Sequence, residues 1–377
     1  MNARRTILGA AAGAVGVAAA GAALGIRRQS RAIGRRTPDA TPFGSLRSRP
    51  ITIVADDGVP LYVEVDELDP DLRKKASPLT LVFCHGYALN LDCWHFQRAA
   101  YRGLVRAVYY DQRSHGRSGR STDGHATIDQ LGHDLRSILD HVVPEGPVVL
   151  VGHSMGGMSI VAFAEHHPEL IGDRVVGVGL ISTTAGGLDP SRILLPMLPA
   201  KLGGRLTHRT VRTLARGHRT VDGARRVGRS VARVVTDLFA FGDEVPAAYV
   251  DFVDSMLSQT PFEVVAEFFP SFNSLDKFDA VEVLGQVPTT IICGTADKLT
   301  SIGHSRKLHD LVPGSTLLEC ANAGHMVILE RHGQVNAALD QLLSAAASPA
   351  PTGLTSTRLT AARPARRRRR AAGRGPR

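Results

Sequence analysis

The sequence is poor in cysteine and has none of the spacings that bind zinc. Its four cysteines, Cys84, Cys93, Cys293 and Cys320, form no Cys-x-x-Cys pair. Without such a pair, or a Cys/His spacing of the zinc-finger kind, no metal site is predicted. Three of the four lie in or beside apparent β-strands, where a free cysteine behaves as a small buried hydrophobe. A disulfide framework is therefore not expected, and cysteine usage does not decide the compartment.

A net positive charge is lacking outside the two ends of the chain. The formal net charge is +10, yet residues 1–50 contribute +8, from nine arginines and one aspartate, and residues 346–377 contribute +9, from nine arginines. The residues between them therefore carry a net charge of −7. An enzyme that acts on nucleic acid more often carries basic patches on its folded body. We expect no specific nucleic-acid partner.

A long run without charge lies near the N-terminus. Residues 6–26 are 21 uncharged residues, flanked by Arg4-Arg5 and Arg27-Arg28. Because about 20 residues cross a typical bilayer core, we predict that residues 1–28 form a hydrophobic anchor or signal segment and that the protein is membrane-associated. The alternative is export by a twin-arginine-like signal, which residues 3–8 resemble and which a mild Ala/Gly-rich run also fits.

Two segments without apolar periodicity flank the body of the chain. Residues 29–49 are rich in Arg, Pro, Ser and Thr, which predicts a linker. Residues 346–377, with an arginine run at 366–370, predict a disordered tail. Two roles stay open for that tail, a contact with anionic lipid or a solubilising segment.

The body of the chain, residues 50–345, alternates strand-like and helix-like patterns. Hydrophobic residues make up 43% of the sequence and charged residues 21%, which is the composition of a globular protein with a sizeable core. Alternation of this kind predicts an α/β fold, with a mainly parallel sheet covered by helices on both faces. The predicted strands are 51–55, 61–65, 79–86, 105–110, 148–151, 175–181, 289–293 and 316–319, and the predicted helices are 94–101, 127–142, 158–167, 303–312 and 330–345.

The stretch VVLVGHSMGG, residues 148–157, carries the strongest single motif. A strand-like run leads into Gly152-His153-Ser154-Met155-Gly156, and a helix-compatible run follows. In this strand–turn–helix setting the Gly-x-Ser-x-Gly pattern is a nucleophile elbow. The serine sits in strained backbone, so its neighbours two positions away must lack bulk, as Gly152 and Gly156 do. The alternative is a glycine-rich turn whose serine has no catalytic role.

A serine nucleophile needs a base and an orienting carboxylate, and both are found in loops that follow predicted strands. Asp297 follows strand 289–293, and His325 follows strand 316–319. In sheets of this kind, active sites collect at the carboxyl ends of the strands. The order Ser154, Asp297, His325 is the serine–acid–histidine order of the α/β-hydrolase fold.

Five segments together resemble successive signatures of the α/β-hydrolase superfamily. They are FCHGYALNLDCW, DQRSHGRS, VGHSMGG, ICGTADKLT and NAGH, and they occur in that order within residues 50–345. The chain is most similar to the branch of small serine esterases, lipases and nonhaem-haloperoxidase-like proteins. The resemblance implies an α/β-hydrolase domain over residues 50–345, with a helical cap, residues 188–285, inserted before the penultimate core strand.

The resemblance also implies roles for the site residues. His325 would take the proton of Ser154, Asp297 would orient the imidazole, and the backbone amides of Tyr87 and Met155 would form the oxyanion hole. The implied activity is hydrolysis of small carboxylic esters with an apolar acyl group, without a cofactor. Acyl transfer, thioester hydrolysis and perhydrolysis remain alternatives, as does a non-catalytic binding module. Relatives with haloalkane dehalogenase or epoxide hydrolase chemistry carry aspartate at the elbow, which Ser154 argues against.

Other conspicuous residues receive structural interpretations. Asp189 is an alternative acid, His85 is expected to support the oxyanion loop, and His153 is expected to be a packing or hydrogen-bonding neighbour of the nucleophile. Arg113 is expected to pair internally, and Trp94 to anchor the core. A group of apolar cap residues either lines an acyl pocket or forms the cap's own core, and its members are Met256, Phe262, Phe268, Phe269 and Phe272. The sequence does not indicate an oligomeric state.

Overall fold

The structure is a computed structural model that describes residues 42–72, 79–122, 124–189 and 229–348. Its centre is one eight-stranded sheet. Several strands are buried at every position and are mostly apolar, because helices cover both faces of a parallel sheet. The strands are β1 (Pro50–Val54), β2 (Pro60–Asp66), β3 (Thr80–Cys84), β4 (Arg106–Tyr110), β5 (Val148–His153), β6 (Val175–Ile181), β7 (Thr289–Gly294) and β8 (Thr316–Cys320).

The strand order is β1-β2-β4-β3-β5-β6-β7-β8. Strands β1 and β2 form an antiparallel pair, and β2 also runs antiparallel to β4. From β4 to β8 every pairing is parallel. The mainly parallel sheet predicted from the sequence is therefore confirmed, with an antiparallel pair at one edge.

Helices connect the parallel strands and cover the sheet. Most begin or end within two residues of the predicted bounds, and the last predicted helix is divided into a short turn and a long helix. The helices are α1 (His95–Tyr101), α2 (Ile128–Val142), α3 (Met155–His166), α4 (Arg229–Ala240), α5 (Ala247–Gln259), α6 (Phe262–Asn273), α7 (Ile302–Leu311), α8 (Val327–Glu330) and α9 (His332–Ala347), with 3₁₀ segments at Leu91–Trp94, Pro168–Leu170 and Phe278–Gln286.

Two apolar layers lie on opposite faces of the sheet. Successive residues of a strand point to opposite faces, so Val82 and Leu150 belong to one layer and Phe83 and Val151 to the other. Trp94 lies in the second layer and has no exposed surface, as expected for a core anchor. This packing holds the carboxyl ends of the central strands in fixed register.

Helices α4, α5 and α6 lie between β6 and β7, so the cap enters before the penultimate strand as predicted. The bounds 188–285 predicted for the cap include residues 190–228, which lie outside the described residues. The predicted linker 29–49 and the predicted tail 346–377 also fall largely outside them. Helix α9 continues to Ala347, two residues beyond the predicted end of the domain.

The predicted membrane association requires a correction. No helix within the described part of the chain is both long enough and apolar enough to cross a membrane. The prediction came from counting uncharged residues, and the run 6–26 owes its length to Ala and Gly rather than to strongly apolar side chains. Residues 1–28, to which the anchor and the twin-arginine-like signal were assigned, lie outside the described residues. The membrane assignment is not retained.

Candidate active site

Ser154 occupies the sharp turn between β5 and α3. Its backbone has φ +52° and ψ −118°, a conformation that residues other than glycine rarely adopt. The turn depends on close backbone packing, because a Cβ at Gly152 would overlap Gly156, and one at Gly156 would overlap the carbonyl of Cys84. The predicted elbow geometry is therefore present, with Ser154 8% exposed.

Asp297 and His325 meet in the loops after β7 and β8. Asp297 Oδ2 accepts a hydrogen bond from His325 Nδ1 at 2.9 Å. Asp297 Oδ1 accepts from the backbone amides of Leu299 and Thr300, at 2.8 and 3.0 Å. Burial by itself would raise the pKa of Asp297, but the charge of His325 and these hydrogen bonds outweigh burial and lower that pKa. The carboxylate therefore stays ionised beside the imidazole.

The hydrogen bond that His325 donates to Asp297 determines the orientation of the His325 ring. Because Nδ1 donates to the carboxylate, Nε2 is left as the basic nitrogen. The carboxylate on this ring belongs to Asp297, and not to the alternative candidate Asp189. Thr300 Oγ1, which sequence reasoning did not single out, lies 3.0 Å from Asp297 Oδ2 and 3.3 Å from His325 Nδ1. Its only sequence signal was its place in the ICGTADKLT segment.

Ser154 is linked to this pair through its neighbour, His153. His153 Nε2 donates to the backbone carbonyl of His325 at 2.9 Å, and the two imidazole rings lie 4.9 Å apart. No hydrogen bond joins Ser154 to His325 within the described residues. Catalytic hydrogen bonds are often long or absent without substrate. The structure thus brings Asp297 and His325 into contact. Ser154 lies next in the chain to His153, which bonds to the same histidine.

The loop after β3 lies directly against Ser154. An added Cβ at Gly86 would lie 3.2 Å from Ser154 Cβ and 2.9 Å from His153 Nδ1, so glycine is needed for this approach. The next residue, Tyr87, and Met155, the first residue of α3, are the predicted amide donors. A first-turn amide has no partner within its helix. Neither amide donates to another described residue.

His85 fixes the conformation of this loop. Its Nε2 accepts from the Gln112 amide at 2.9 Å, so Nδ1 carries the proton and donates to the Gly86 carbonyl at 2.7 Å. The Gln112 side chain donates to the His85 carbonyl at 2.6 Å and accepts from Ser159. Burial, with His115 nearby, lowers the pKa of His85 to about 3. His85 is a neutral support of the loop, in agreement with the interpretation drawn from the sequence.

His153 is also neutral and buried. Burial, reinforced by the charge of His325, lowers its pKa to about 3. Its ring lies edge-on to Trp94, and its Nδ1 has no hydrogen-bond partner in the part of the chain that the structure describes. His153 therefore acts as a packing and positioning neighbour of Ser154 and His325 rather than as a second base.

The cap helix α6 packs against the start of helix α3, which follows the elbow. Phe268 and Phe272 are buried in a cluster with Met155 and Met158 of helix α3. Tyr87 packs edge-on against Phe272, with ring centroids 4.8 Å apart, and its hydroxyl donates to the Val265 carbonyl. These phenylalanines thus join the cap to the elbow. Met256, by contrast, packs in the layer that contains Trp94.

The loop after β4 also carries a buried aspartate. Asp111 accepts from the amides of Leu91 and Arg117 at 2.7 and 2.8 Å, and burial raises its pKa to about 6. Arg113, two residues later, has a side chain with no exposed surface and pairs with Asp57 and Asp134 at 2.6 Å. The internal pairing expected of Arg113 is present, and the loop contributes structure.

One surface cluster has the composition of a metal site. Asp129, Glu165 and His166 bring their ligand atoms together on an exposed surface. Lys277 Nζ already donates to both carboxylates, 2.6 Å from Asp129 Oδ1. The ammonium group neutralises the two acids, so the cluster gives no reason to assign a metal.

The chain is similar to known proteins. One relative is the dihydrolipoyllysine-residue acetyltransferase component of the acetoin cleaving system of Pseudomonas putida, 26% identical over 261 residues, which are 69% of this chain and 61% of that protein. The chain therefore spans less than two thirds of that relative's length.

Two solved structures have the same fold. A thermophilic esterase from Thermogutta terrifontis superposes with a TM-score of 0.63 at 21% identity, over 80% of this chain and 100% of that one. The enol-lactonase from Burkholderia xenovorans LB400 superposes with a TM-score of 0.61 at 22% identity, over 78% and 100%. The model of the alpha/beta hydrolase family matches residues 81–338. The strand order, the serine elbow and this match agree, and the chain belongs to the alpha/beta hydrolase family.

Proposed function

We propose that the protein is a serine hydrolase that cleaves carboxylic esters through an acyl-enzyme intermediate. The observation that carries the proposal is the buried Asp297–His325 hydrogen bond of 2.9 Å beside a serine held at φ +52°. An oriented imidazole and a hydroxyl on a strained turn are the two groups that acyl transfer to serine requires.

In the proposed reaction, His325 Nε2 removes the proton from Ser154 Oγ as the oxygen attacks the ester carbonyl. Asp297 stabilises the imidazolium that forms and stays ionised, in keeping with its lowered pKa. The amides of Tyr87 and Met155 donate to the oxyanion. His325 then returns the proton to the departing alkoxide, and water, activated by the same imidazole, releases the acid.

The small-molecule substrate follows from the family, and its apolar acyl group is part of the proposal. Phe268, Phe272 and Tyr87 form an aromatic cluster packed against Met155, the residue that follows Ser154. Such a cluster favours an apolar acyl chain over a charged one, since an ion would lose its hydration there.

The test is covalent labelling combined with substrate hydrolysis. A fluorophosphonate probe should label the wild-type protein at Ser154, and p-nitrophenyl esters of short acids should be hydrolysed. Ser154→Ala should abolish labelling and lower kcat by about 10⁴-fold or more, because only the oxyanion hole and binding remain. Ester hydrolysis that survives Ser154→Ala would exclude Ser154 as the nucleophile. Product analysis with a competing alcohol separates hydrolysis from acyl transfer.

A further inference from the structure

Glu330, at the end of helix α8, is a buried carboxylate that the proposed mechanism does not use. Its side chain has no exposed surface. Oε2 accepts from the amides of Gly324 and Gly242 at 2.7 and 3.2 Å, and Oε1 accepts from the amide of Asp243 at 2.8 Å. Gly324 immediately precedes His325. Gly242 and Asp243 belong to the segment that leaves cap helix α4.

These two segments touch along their backbones. A Cβ on Gly324 would lie 2.5 Å from the amide nitrogen of Gly242, and a Cβ on Gly242 would overlap the carbonyl of Asn322. The Met326 amide donates to the carbonyl of Ala240, the last residue of α4, at 2.8 Å. Glycines at both positions therefore allow the base of the cap and the histidine loop to be in direct contact, with the Glu330 carboxylate between them.

Three backbone donors account for the burial of this charge. Hydrogen bonds from neutral amides to an ionised carboxylate are stronger than those to a neutral acceptor. The nearest cation, Arg331 Nη1, is 3.8 Å from Oε1, and Arg331 also donates to Asp243 and to the Ala321 carbonyl. Removing the carboxylate would leave three backbone amides without acceptors. Because an unpaired buried donor is costly, the backbone at these amides would shift.

We propose that Glu330 is a positioning residue that holds His325 in place by joining its loop to the base of the cap. One side of the histidine is fixed by Asp297 through Nδ1, and its main chain is fixed by Glu330 through the Gly324 amide. A displacement of residues 240–243 is then transmitted to His325. This inference rests on the proposed function, since it assigns the positioning of the base in that mechanism.

The experiment compares Glu330→Gln with Glu319→Gln in the full-length protein. Glu319 makes a matched control because it is a partly exposed acid on β8 that pairs with the Arg306 side chain and with no backbone amide of the histidine loop. In Glu330→Gln, the new side-chain NH₂ group faces at least one of the three backbone donors, and two donors cannot bond to each other. We expect kcat for a p-nitrophenyl ester to fall about 10- to 100-fold, as small misplacements of catalytic groups do, with KM and circular dichroism unchanged. Glu319→Gln should match the wild type.

The outcomes separate this inference from the proposed function. If activity depends on Ser154 but Glu330→Gln is as active as the wild type, the positioning role of Glu330 is overturned and the proposed function is not. Wild-type protein that hydrolyses no ester and takes no fluorophosphonate overturns the proposed function. If Glu330→Gln does not fold, hydrogen exchange of the wild-type protein tests whether the base of the cap and the histidine loop are coupled. Phosphonylation of Ser154 should then change the exchange of peptides over 240–243 and 322–326 together, and a change in one peptide alone overturns the inference.

Discussion

The loops after β4 and β7 each place a buried aspartate at the carboxyl edge of the sheet, yet the two carboxyl groups differ in their ionisation. Asp111 and Asp297 each accept two backbone amides. The pKa of Asp111 is raised to about 6 by burial, whereas that of Asp297 is lowered. The difference lies in the side-chain partners, since Asp297 accepts from the buried imidazole of His325 and from Thr300 Oγ1, while the partly exposed Arg117 guanidinium lies 3.6 Å from Asp111. Two amides and a partly exposed cation at 3.6 Å do not offset the burial of Asp111, whereas two amides and a direct hydrogen bond from the His325 imidazole offset the burial of Asp297.

The largest expected effect follows from removing the charge of each aspartate. Asp297→Asn should lower kcat by about 10⁴-fold, because the amide no longer holds the imidazole in its productive tautomer. Asp111→Asn should leave the kcat of the folded enzyme close to the wild-type value, since the hydrogen bonds of Asp111 go to the amides of Leu91 and Arg117. Steady-state kinetics on one p-nitrophenyl ester measures both. Equal losses of kcat in the two variants would contradict the assignment of a catalytic role to the loop after β7 and a structural role to the loop after β4.

The second test addresses the structural role of the loop after β4. Arg113→Ala leaves Asp57 and Asp134 without their buried partner. We expect the free energy of unfolding to fall by about 3–5 kcal/mol, the usual cost of breaking a buried ion pair. Arg136→Ala, which removes an exposed pair with Asp140, should cost about 0.3–0.5 kcal/mol. Urea denaturation compares the two variants, and similar losses would contradict the structural role of Arg113.

The third test uses pH to separate the two carboxyl groups. From pH 3.8 to about 6 the folded protein keeps a proton on Asp111 that the unfolded chain releases. The contribution of Asp111 to the free energy of unfolding therefore falls as pH rises through this window, by up to about 3 kcal/mol. Asp297 has the opposite sign, because its stabilising contribution is lost as pH falls below its unfolded pKa.

The comparison of wild type with Asp111→Asn isolates the first of these contributions. Denaturation of both proteins at several pH values should show the wild type losing stability relative to the variant as pH rises to about 6. A stability difference that does not change with pH would mean that Asp111 titrates normally.

The smallest expected effect concerns the loop after β3, which lies between the other two and is tied to the cap. Tyr87→Phe removes the hydroxyl that donates to Val265 and keeps the ring packed on Phe272. We expect the free energy of unfolding to fall by about 1 kcal/mol. We also expect kcat to fall, because the Tyr87 amide is a proposed oxyanion donor. Tyr62→Phe removes a comparable hydroxyl bond, to Glu64, and should leave kcat unchanged. An unchanged kcat in Tyr87→Phe would separate the cap contact from catalysis.

Local pattern in the sequence was enough to predict most of the fold. Strand β6 was predicted with its observed bounds, and helix α2 within one residue, because continuous apolar runs and helical spacing are properties of neighbouring residues. The elbow could be predicted for the same reason, since Gly152, Ser154 and Gly156 lie within five residues. The membrane assignment failed because the length of an uncharged run is weak evidence when Ala and Gly supply most of it.

The residues that support the site were beyond reach of local pattern. Gly242 and Glu330 are 88 positions apart in the chain, and Arg113 and Asp57 are 56 apart. Nothing in the vicinity of Glu330 marks it as an acceptor for the base of the cap. The sequence by itself determined the order of strands and helices, the strained serine, and the loops that carry Asp297 and His325. Only the tertiary structure decided which buried polar groups pair, because those partners meet through the packing of loops at the sheet edge, and that packing determines both burial and pKa.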